Sequence, residues 1–519
     1  MEREVERISG SQRSNHGNNI HRWFVFATAY MSMMIDVGFI FSSGALFVDI
    51  MTTFSTSRSE AALVQSVLMA VRFGIGMVSG AVVQRFGALK AGLFGSCLAS
   101  AGLVLSYFAT SVMFLVLSMG VILAMGSSCL FIASSVAVGQ HFKGKTGLVL
   151  MSAQSAGGGL GGMLYPFVLE YLGDSYGLKG ALLIVGGLYM QLIPASLLWT
   201  PRVKRSKEGN INISMSGEDR TKVKPAKHTE KVDKECREDT RFLESDDKYQ
   251  QTSTEDTADE NNDSVLIERQ LTTIDDKQGR RKTEDKRNPE VKANNRGKDT
   301  VWESLKQLAF NPSFVLFAVG MGVAYPALGI LFIFIVDLFL DAGLTEEEAS
   351  LGLLLVHMFS IFGRLLPGIV MQSRRIASLS VPIFAALLTS SAMVGLAFVK
   401  SLEVNLFLCC LIGLPYGVFV SVFSVTSLKL VGIKQLSNAI GVLFTLNGLG
   451  SGLAGPISGL LRDLLGSYTT PFLIAAGVIL VGAMLFCVSL QIRRKHKHYV
   501  TERTALLQSG KQTQQTSNT

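Results

Sequence analysis

Apolar and polar residues occur along this chain in long alternating blocks. A helix needs roughly 20 consecutive apolar residues to span a bilayer, and about twelve runs approach that length. Six of them precede a long polar block and six follow it. This pattern predicts an all-α membrane protein with two groups of six spans. The predicted spans are 23–48, 61–83, 89–109, 111–137, 146–169, 180–200, 312–337, 348–371, 378–399, 404–428, 437–461 and 471–491.

The polar block between the two groups is dense in charge yet balanced. Residues 201–300 contain 23 Lys and Arg and 23 Asp and Glu. Few aromatic residues accompany them, so the block cannot bury enough apolar area to offset the entropy of ordering. We expect a disordered loop. The predicted organisation is an N-terminal tail (1–22), a six-helix half (23–200), the loop (201–305), a second six-helix half (306–491) and a C-terminal tail (492–519).

The short loops differ in charge according to the side on which they fall. If both termini share one side, the segments there carry 19 basic and 5 acidic residues, against 4 basic and 11 acidic on the other side. Cytosolic loops are enriched in Lys and Arg, so we expect cytosolic termini and a cytosolic 201–305 loop. The first apolar run is too long for a signal peptide and is expected to be retained as a span. The plasma membrane is the expected location.

Composition narrows the class of protein further. Only 17% of residues are charged, 48% are hydrophobic and the mean hydropathy is +0.36. A soluble domain is about a quarter charged. The net charge of +8 follows the predicted membrane sidedness and does not indicate a nucleic-acid partner. No metalloprotease, serine-hydrolase or phosphate-loop motif occurs, and no cysteine spacing indicates zinc. We expect no enzyme, no cofactor and no metal.

The two halves resemble diverged copies of one unit. A helix rich in small residues begins at Lys145 and another at Leu436, each at the fifth position of its half and each followed by a proline, Pro166 or Pro456. Glycine at this density lets membrane helices approach closely. Two six-helix halves around a central path resemble the architecture of major facilitator transporters.

A loop motif between the second and third spans strengthens this resemblance. The segment from Gly80 to Lys90 is similar to the major facilitator pattern Gly-x-x-x-Asp-Arg-x-Gly-Arg-Arg, with Gln84 in place of the acid. The resemblance implies a conformational role for Gly80, Arg85, Gly87 and Lys90. The alternative is a basic loop that only sets orientation.

Further segments resemble the monocarboxylate transporter family. They are Phe47-Val-Asp followed by Ser57-Arg-Ser-Glu, His141-Phe-Lys before the fifth span, and Gly455-Pro-Ile-Ser-Gly near the end of the eleventh. The resemblance implies gating roles for Lys143, Gly455 and Pro456. It also implies a small-molecule substrate, a surrounding lipid bilayer and a single-span ancillary membrane subunit as a candidate partner.

This chain departs from the family pattern in two places that bear on the transport mechanism. The helix-1 lysine of proton-coupled members has no counterpart in residues 38–45, and Ser360 stands where those members carry an acid four residues before Arg364. The sequence therefore predicts a secondary transporter of a small organic anion, such as a monocarboxylate or a related zwitterion, with proton linkage left open. The alternatives are a pH-independent facilitator of neutral or aromatic solutes, and a non-transporting receptor or scaffold that signals through the 201–305 loop.

Few ionisable residues fall inside the predicted spans, away from their ends. They are Asp36, Arg72, His357 and Arg364, and each is costly in a bilayer, which makes function the default hypothesis. A guanidinium binds a carboxylate through two parallel hydrogen bonds, so Arg364 is the predicted substrate anchor. The alternative is a structural ion pair of Arg364 with Asp36.

Each of the other candidate binding residues has two interpretations. Asp36 is either a proton carrier or a permanent partner of Arg364 or Arg72. His357 could titrate near neutral pH or only pack. Tyr416 and Phe419 fall where the family places aromatic residues of the substrate path, although ordinary packing explains them equally well. With Ser360, these residues form the predicted binding set.

The C-terminal tail contains a short segment that matches an acidic dileucine sorting signal, Glu502-x-x-x-Leu506-Leu507. If it is used, a sorting adaptor would bind the tail and the protein would cycle through endosomes or lysosomes.

Overall fold

The architecture is seen in a computed structural model, which describes residues 2–200, 301–373, 376–465 and 469–516. Side chains are described for most of these residues, with the main gaps at residues 2–19, 452–465 and 496–516. The predicted loop therefore lies outside the described residues over 201–300. The surroundings of Gly455, Pro456, Glu502, Leu506 and Leu507 are likewise not described.

All regular structure in the N-terminal half is helical among the described residues. The first predicted run, 23–48, is not one helix but divides at a short 3₁₀ turn, Ser43–Leu46. The helices are α1 (Glu2–Ser42), α2 (Phe47–Phe54), α3 (Arg58–Gly74), α4 (Gly76–Tyr107), α5 (Val112–Leu115), a π-helical segment (Val116–Leu123), α6 (Ala124–His141), α7 (Gly144–Met190) and α8 (Leu192–Leu197).

The C-terminal half repeats this plan. A separate short helix covers residues 301–309. The helices are α9 (Pro312–Asp341), α10 (Glu346–Val370), α11 (Ser380–Phe398), α12 (Leu402–Leu465) and α13 (Thr469–Thr516). α10 begins with a capping box, in which Thr345 and Glu348 exchange side-chain and backbone hydrogen bonds.

Several of these helices contain a turn between two membrane crossings. Nine helices among the described residues are long and apolar enough to cross a membrane, and two of them have 54 and 50 residues. Gly87, Gly177 and Gly432 adopt positive φ angles of 82°, 68° and 73° inside continuous helical segments. Glycine adopts this conformation without steric cost, so each position marks a tight turn rather than a helix interior.

Dividing the helices at those glycines gives twelve crossings in the described residues, as the hydropathy pattern predicts. The first to sixth cover residues 20–42, 58–86, 88–107, 112–141, 144–176 and 178–197. The seventh to twelfth cover 312–341, 346–370, 380–398, 402–431, 433–465 and 469–495.

The two halves meet along two helix pairs. The fifth crossing packs against the eighth, and the second packs against the eleventh. Many of these contacts lie at the end of the bundle that carries Arg85, Lys143 and Lys434, here called the basic end. There Ser437 donates a 2.7 Å hydrogen bond to Gln84 across the boundary between the halves. The bundle is thus closed at its basic end.

Candidate functional site

Arg364 lies in the eighth crossing, at the boundary between the halves. Its side chain is 2% exposed. Nη1 donates a 2.8 Å hydrogen bond to the Ser155 carbonyl of the fifth crossing, while the buried Nε has no partner. Among the described side chains, no carboxylate lies within 4.0 Å of this guanidinium. Arg364 is therefore a buried cation whose hydrogen-bonding capacity is only partly used.

Two glycines of the fifth crossing make room for this guanidinium. A Cβ atom at Gly158 would stand 2.9 Å from Nη1 of Arg364, and one at Gly159 would stand 3.1 Å from its Nε. Side chains at these positions would displace the arginine. The glycine run, which the sequence marks only as a close-packing segment, thus also lines the space around the candidate anchor.

Asp36 forms an ion pair with Arg72 within the N-terminal half. The two charged groups are 3.0 Å apart, and both side chains are at most 2% exposed. The Tyr189 hydroxyl donates to the Asp36 carboxylate at 3.3 Å, and Arg72 also donates to Ser127. The sequence leaves Arg364 and Arg72 open as partners of Asp36, and in the structure Asp36 is paired with Arg72.

This pairing leaves the described core with an uncompensated positive charge. The charges of Asp36 and Arg72 offset each other, whereas Arg364 has no acid beside it. A buried, unpaired charge is costly in a medium of low dielectric constant. The site is therefore electrostatically suited to an anion.

His357 and Ser360 lie on the same helix as Arg364. The His357 ring bonds through Nδ1 to the Leu353 carbonyl at 2.9 Å, and the ring faces Gly162 of the opposite half. The Ser360 hydroxyl donates to the His357 carbonyl at 2.7 Å. Both groups thus bond to the backbone of their own helix, and Ser360 supplies no acid beside Arg364.

Of the two aromatic residues predicted for the tenth crossing, Tyr416 faces the arginine. Its ring stacks on Tyr325 of the seventh crossing, with centroids 6.4 Å apart, and both tyrosines interact electrostatically with Arg364. Phe419 is fully buried, and the described contacts do not join it to Arg364. Sequence reasoning missed Tyr325 because nothing but position in a span distinguishes it.

Aromatic rings from both halves continue from this tyrosine pair. Phe444 packs against Phe73 at 5.1 Å and Phe131 at 4.8 Å between ring centroids. Tyr325 contacts Phe423 at 5.3 Å. The rings therefore form a continuous apolar surface that extends from Arg364 toward Phe131, where the Arg72 guanidinium lies over the ring.

Five of the residues predicted to act in gating, Gly80, Arg85, Gly87, Lys90 and Lys143, lie at the basic end. The backbone of the eleventh crossing approaches Gly80 so closely that a Cβ there would stand 2.6 Å from the Ser437 carbonyl oxygen. Gly87 forms the turn that follows. Arg85, Lys90 and Lys143 are exposed around this contact.

The opposite end of the N-terminal half carries a pair of acids. Partial burial raises the pKa of Asp49 above its ordinary value, and the nearby Asp174 carboxylate raises it further. Ser57 caps the first turn of α3, where its side chain accepts from the Glu60 amide at 3.3 Å. The segment that resembles the monocarboxylate transporters thus forms the connection between the first and second crossings.

Comparisons with known proteins agree with this architecture. The family model described as Major Facilitator Superfamily matches residues 23–454. Similar curated proteins include monocarboxylate transporter 9 of Gallus gallus, 24% identical over 90% of this chain and 92% of that protein. Monocarboxylate transporter 14 of Homo sapiens is 25% identical over 91% of each chain. The resemblance predicted from sequence motifs is confirmed.

Solved structures show the same fold. The fucose:proton symporter FucP of E. coli superposes with a TM-score of 0.56 at 16% identity, covering 89% of this chain and 98% of that one. The human organic anion transporter MFSD10 superposes with a TM-score of 0.53 at 13% identity, covering 90% of this chain and 99% of that one. The matched family consists of transporters and not enzymes. With its twelve crossings and two packed halves, this chain belongs to the major facilitator superfamily.

Proposed function

We propose that this transporter moves a small organic anion with a single carboxylate, bound by Arg364, by alternating access. The observation that carries the proposal is the state of Arg364, which is buried, partly unsatisfied and without an acid among the described side chains. A substrate carboxylate would supply the missing negative charge and accept from the unused Nε and neighbouring N–H groups.

The charge balance favours one carboxylate over two. The second buried guanidinium, Arg72, already has Asp36 as its partner. A dicarboxylate would bring one negative charge in excess of the available cation, and this charge would have to enter a medium where it is poorly solvated. A monocarboxylate leaves the core neutral.

The aromatic surface beside Arg364 supports an apolar body on the substrate. Tyr325, Tyr416 and Phe423 offer ring faces, with the Phe444 cluster beyond them. An alkyl or ring substituent gains stabilisation by leaving water for such a surface. The names of the similar proteins, monocarboxylate transporters 9 and 14 and an organic anion transporter, are consistent with this substrate class.

Substrate binding would also influence closure of the path. Arg364 belongs to the C-terminal half, yet its Nη1 bonds to the Ser155 carbonyl in the N-terminal half. A carboxylate that takes up the remaining donors of Arg364 removes the cost of holding a bare charge at the boundary between the halves. The two halves could then rock about an occupied, neutral site.

We expect transport to proceed without obligatory proton coupling. Ser360 cannot carry a proton as an acid would, and Asp36 is engaged by Arg72. Uptake measured with an inward proton gradient and without one should agree within about twofold. An uptake rate that collapses without the gradient would instead show that a proton accompanies the substrate.

The experiment for the proposed function is an uptake panel in proteoliposomes that contain the full chain. Labelled lactate, pyruvate and larger monocarboxylates are compared with their amides, which keep shape and lose charge, and with dicarboxylates. We expect uptake of at least one monocarboxylate and none of its amide. Uptake of the amide at the same rate would overturn the proposal.

The remaining expectations are proposals as well. A plasma-membrane location, cytosolic termini, a single-span ancillary subunit and adaptor binding at Glu502–Leu507 are each consistent with the sequence pattern. Surface labelling before and after replacement of Leu506 and Leu507 by alanine tests the sorting signal, because loss of internalisation should raise the amount at the cell surface.

A further inference from the structure

We propose that Ser152 and Thr445 are positioning residues that hold the basic end closed. Each inserts a hydroxyl from one half into an interrupted or weakened turn of a helix in the other half. This proposal concerns the conformational cycle, and it does not depend on which substrate Arg364 binds.

Ser152 of the fifth crossing contacts the backbone of the eighth. Its hydroxyl donates to the Arg364 carbonyl at 2.8 Å and accepts from the Gly368 amide at 2.8 Å. A regular helix pairs this carbonyl with this amide, four residues apart. The same turn contains Pro367, which has no N–H to donate. The hydroxyl therefore stabilises a turn that its own helix supports incompletely.

Thr445 of the eleventh crossing likewise contacts the backbone of the second crossing. Its hydroxyl accepts from the Met77 amide at 2.9 Å, and its single proton is shared between the Gly74 carbonyl at 3.3 Å and the Gly441 carbonyl of its own helix at 3.2 Å. Between these two residues the helix is interrupted at Ile75, whose φ and ψ angles are −83° and 9°. The hydroxyl thus bridges the two ends of the break from the opposite half.

The two contacts occupy corresponding places in the repeated architecture. The fifth and eleventh crossings each hold the fifth position of a half, and the eighth and second crossings each hold the second. Close backbone approach makes both contacts geometrically possible. A Cβ at Gly368 would stand 2.5 Å from Cβ of Ser152, and one at Gly76 would stand 2.5 Å from the Gly441 carbonyl oxygen.

Opening the basic end separates both helix pairs and breaks both sets of bonds. The freed carbonyls and amides would then pair with water that enters the path. The two hydroxyls therefore stabilise the closed state relative to the open state. Ser152 also fixes the backbone of the residue that carries the candidate anchor, together with Ser421, which donates to the same Arg364 carbonyl at 2.5 Å. Closure and placement of Arg364 are thereby linked.

The test measures access to the closed end without any substrate. Ser437→Cys introduces a thiol at a position that is 2% exposed and bonded across the halves to Gln84. The full chain in proteoliposomes is treated with N-ethylmaleimide, and labelling at position 437 is followed by peptide-resolved mass spectrometry. Thr445→Val and Ser152→Ala, each added to this reporter, should increase the labelling rate about fivefold.

Matched control variants show whether an effect comes from the contact between the halves or from the loss of a buried hydroxyl in general. Thr389→Val and Ser134→Ala remove hydroxyls that bond only within their own helices, to Ala385 at 2.8 Å and Phe131 at 3.0 Å. Both should leave the labelling rate unchanged, and Thr445→Ser, which keeps the hydroxyl, should restore the parent rate. Equal rates for Thr445→Val and Thr389→Val, or failure of Thr445→Ser to restore, would overturn the proposal.

Discussion

At the scale of single residues, two buried arginines have opposite roles. Arg72 is neutralised by Asp36 at 3.0 Å, whereas the described hydrogen bond of the Arg364 guanidinium is to a backbone carbonyl. Hydropathy alone identifies both as costly charges inside spans. It cannot show which of them has a partner, because pairing depends on how crossings one, two and eight pack in three dimensions.

The Asp36–Arg72 pair should be structural. Asp36→Asn leaves Arg72 buried without a counter-charge, and breaking a buried pair from one side typically costs about 3–5 kcal/mol. We expect a clear fall in the thermal unfolding midpoint of the purified protein. The double variant Asp36→Asn/Arg72→Gln removes both charges and should recover much of the loss. Equal midpoints for Asp36→Asn and the parent would show that the pair does not stabilise the fold.

At the scale of helices, sequence predicts the crossings well and their interruptions poorly. Apolar run length located the spans, since the bilayer demands that length. The break at Ile75 and the 3₁₀ turn at Ser43–Leu46 were missed because both lie inside apolar runs. The hydroxyls that compensate such a break come from distant crossings, so no local pattern reports them. The turns at Gly87, Gly177 and Gly432, in contrast, fall in the gaps between predicted spans, so run length indicated all three.

Close packing of the fifth and eighth crossings should tolerate no added methyl group at Gly368. A Cβ there would meet Ser152 and the Leu148 carbonyl oxygen, the latter at 2.7 Å. We expect Gly368→Ala to lower the free energy of unfolding by about 1–3 kcal/mol, as overpacking commonly does. The measurement is the thermal unfolding midpoint in detergent.

Gly477→Ala provides the matched control for that substitution. Gly477 also lies in a membrane crossing, but no described atom stands within 4 Å of the place that a Cβ atom would take there. The substitution should keep or slightly raise the unfolding midpoint, because alanine favours a helix over glycine. If both variants lower the midpoint equally, tight packing at Gly368 is not the cause.

At the scale of the whole molecule, the alternation of basic and acidic loops follows the order of the crossings. The superfamily fold could be predicted because run length, internal repeat and loop motif all point to it. The candidate site could be predicted only in part. Arg364 and Tyr416 were identified, while Tyr325, Ser155 and the glycines around the guanidinium required the packing of both halves.

Transport should not need the polar segment between the halves. Replacing residues 201–300 with a shorter flexible linker should leave uptake per molecule within about twofold of the parent, because the described neighbours of Arg364 belong to the two six-helix halves. The comparison is made in proteoliposomes with equal amounts of folded protein. Loss of uptake with an unchanged unfolding midpoint would favour a signalling or regulatory role for the segment.

The central claim is that Arg364 binds a substrate carboxylate. Its most direct test is the KM of a labelled monocarboxylate that the parent takes up, measured for Arg364→Lys and Arg364→Gln in proteoliposomes. Lysine keeps the charge and loses the planar fork, so we expect KM to rise about tenfold or more. Glutamine should abolish uptake, while a labelling rate at position 437 equal to that of the parent, measured with Ser437→Cys in both proteins, confirms a folded, closed protein. A KM within twofold of the parent in Arg364→Gln would contradict the account.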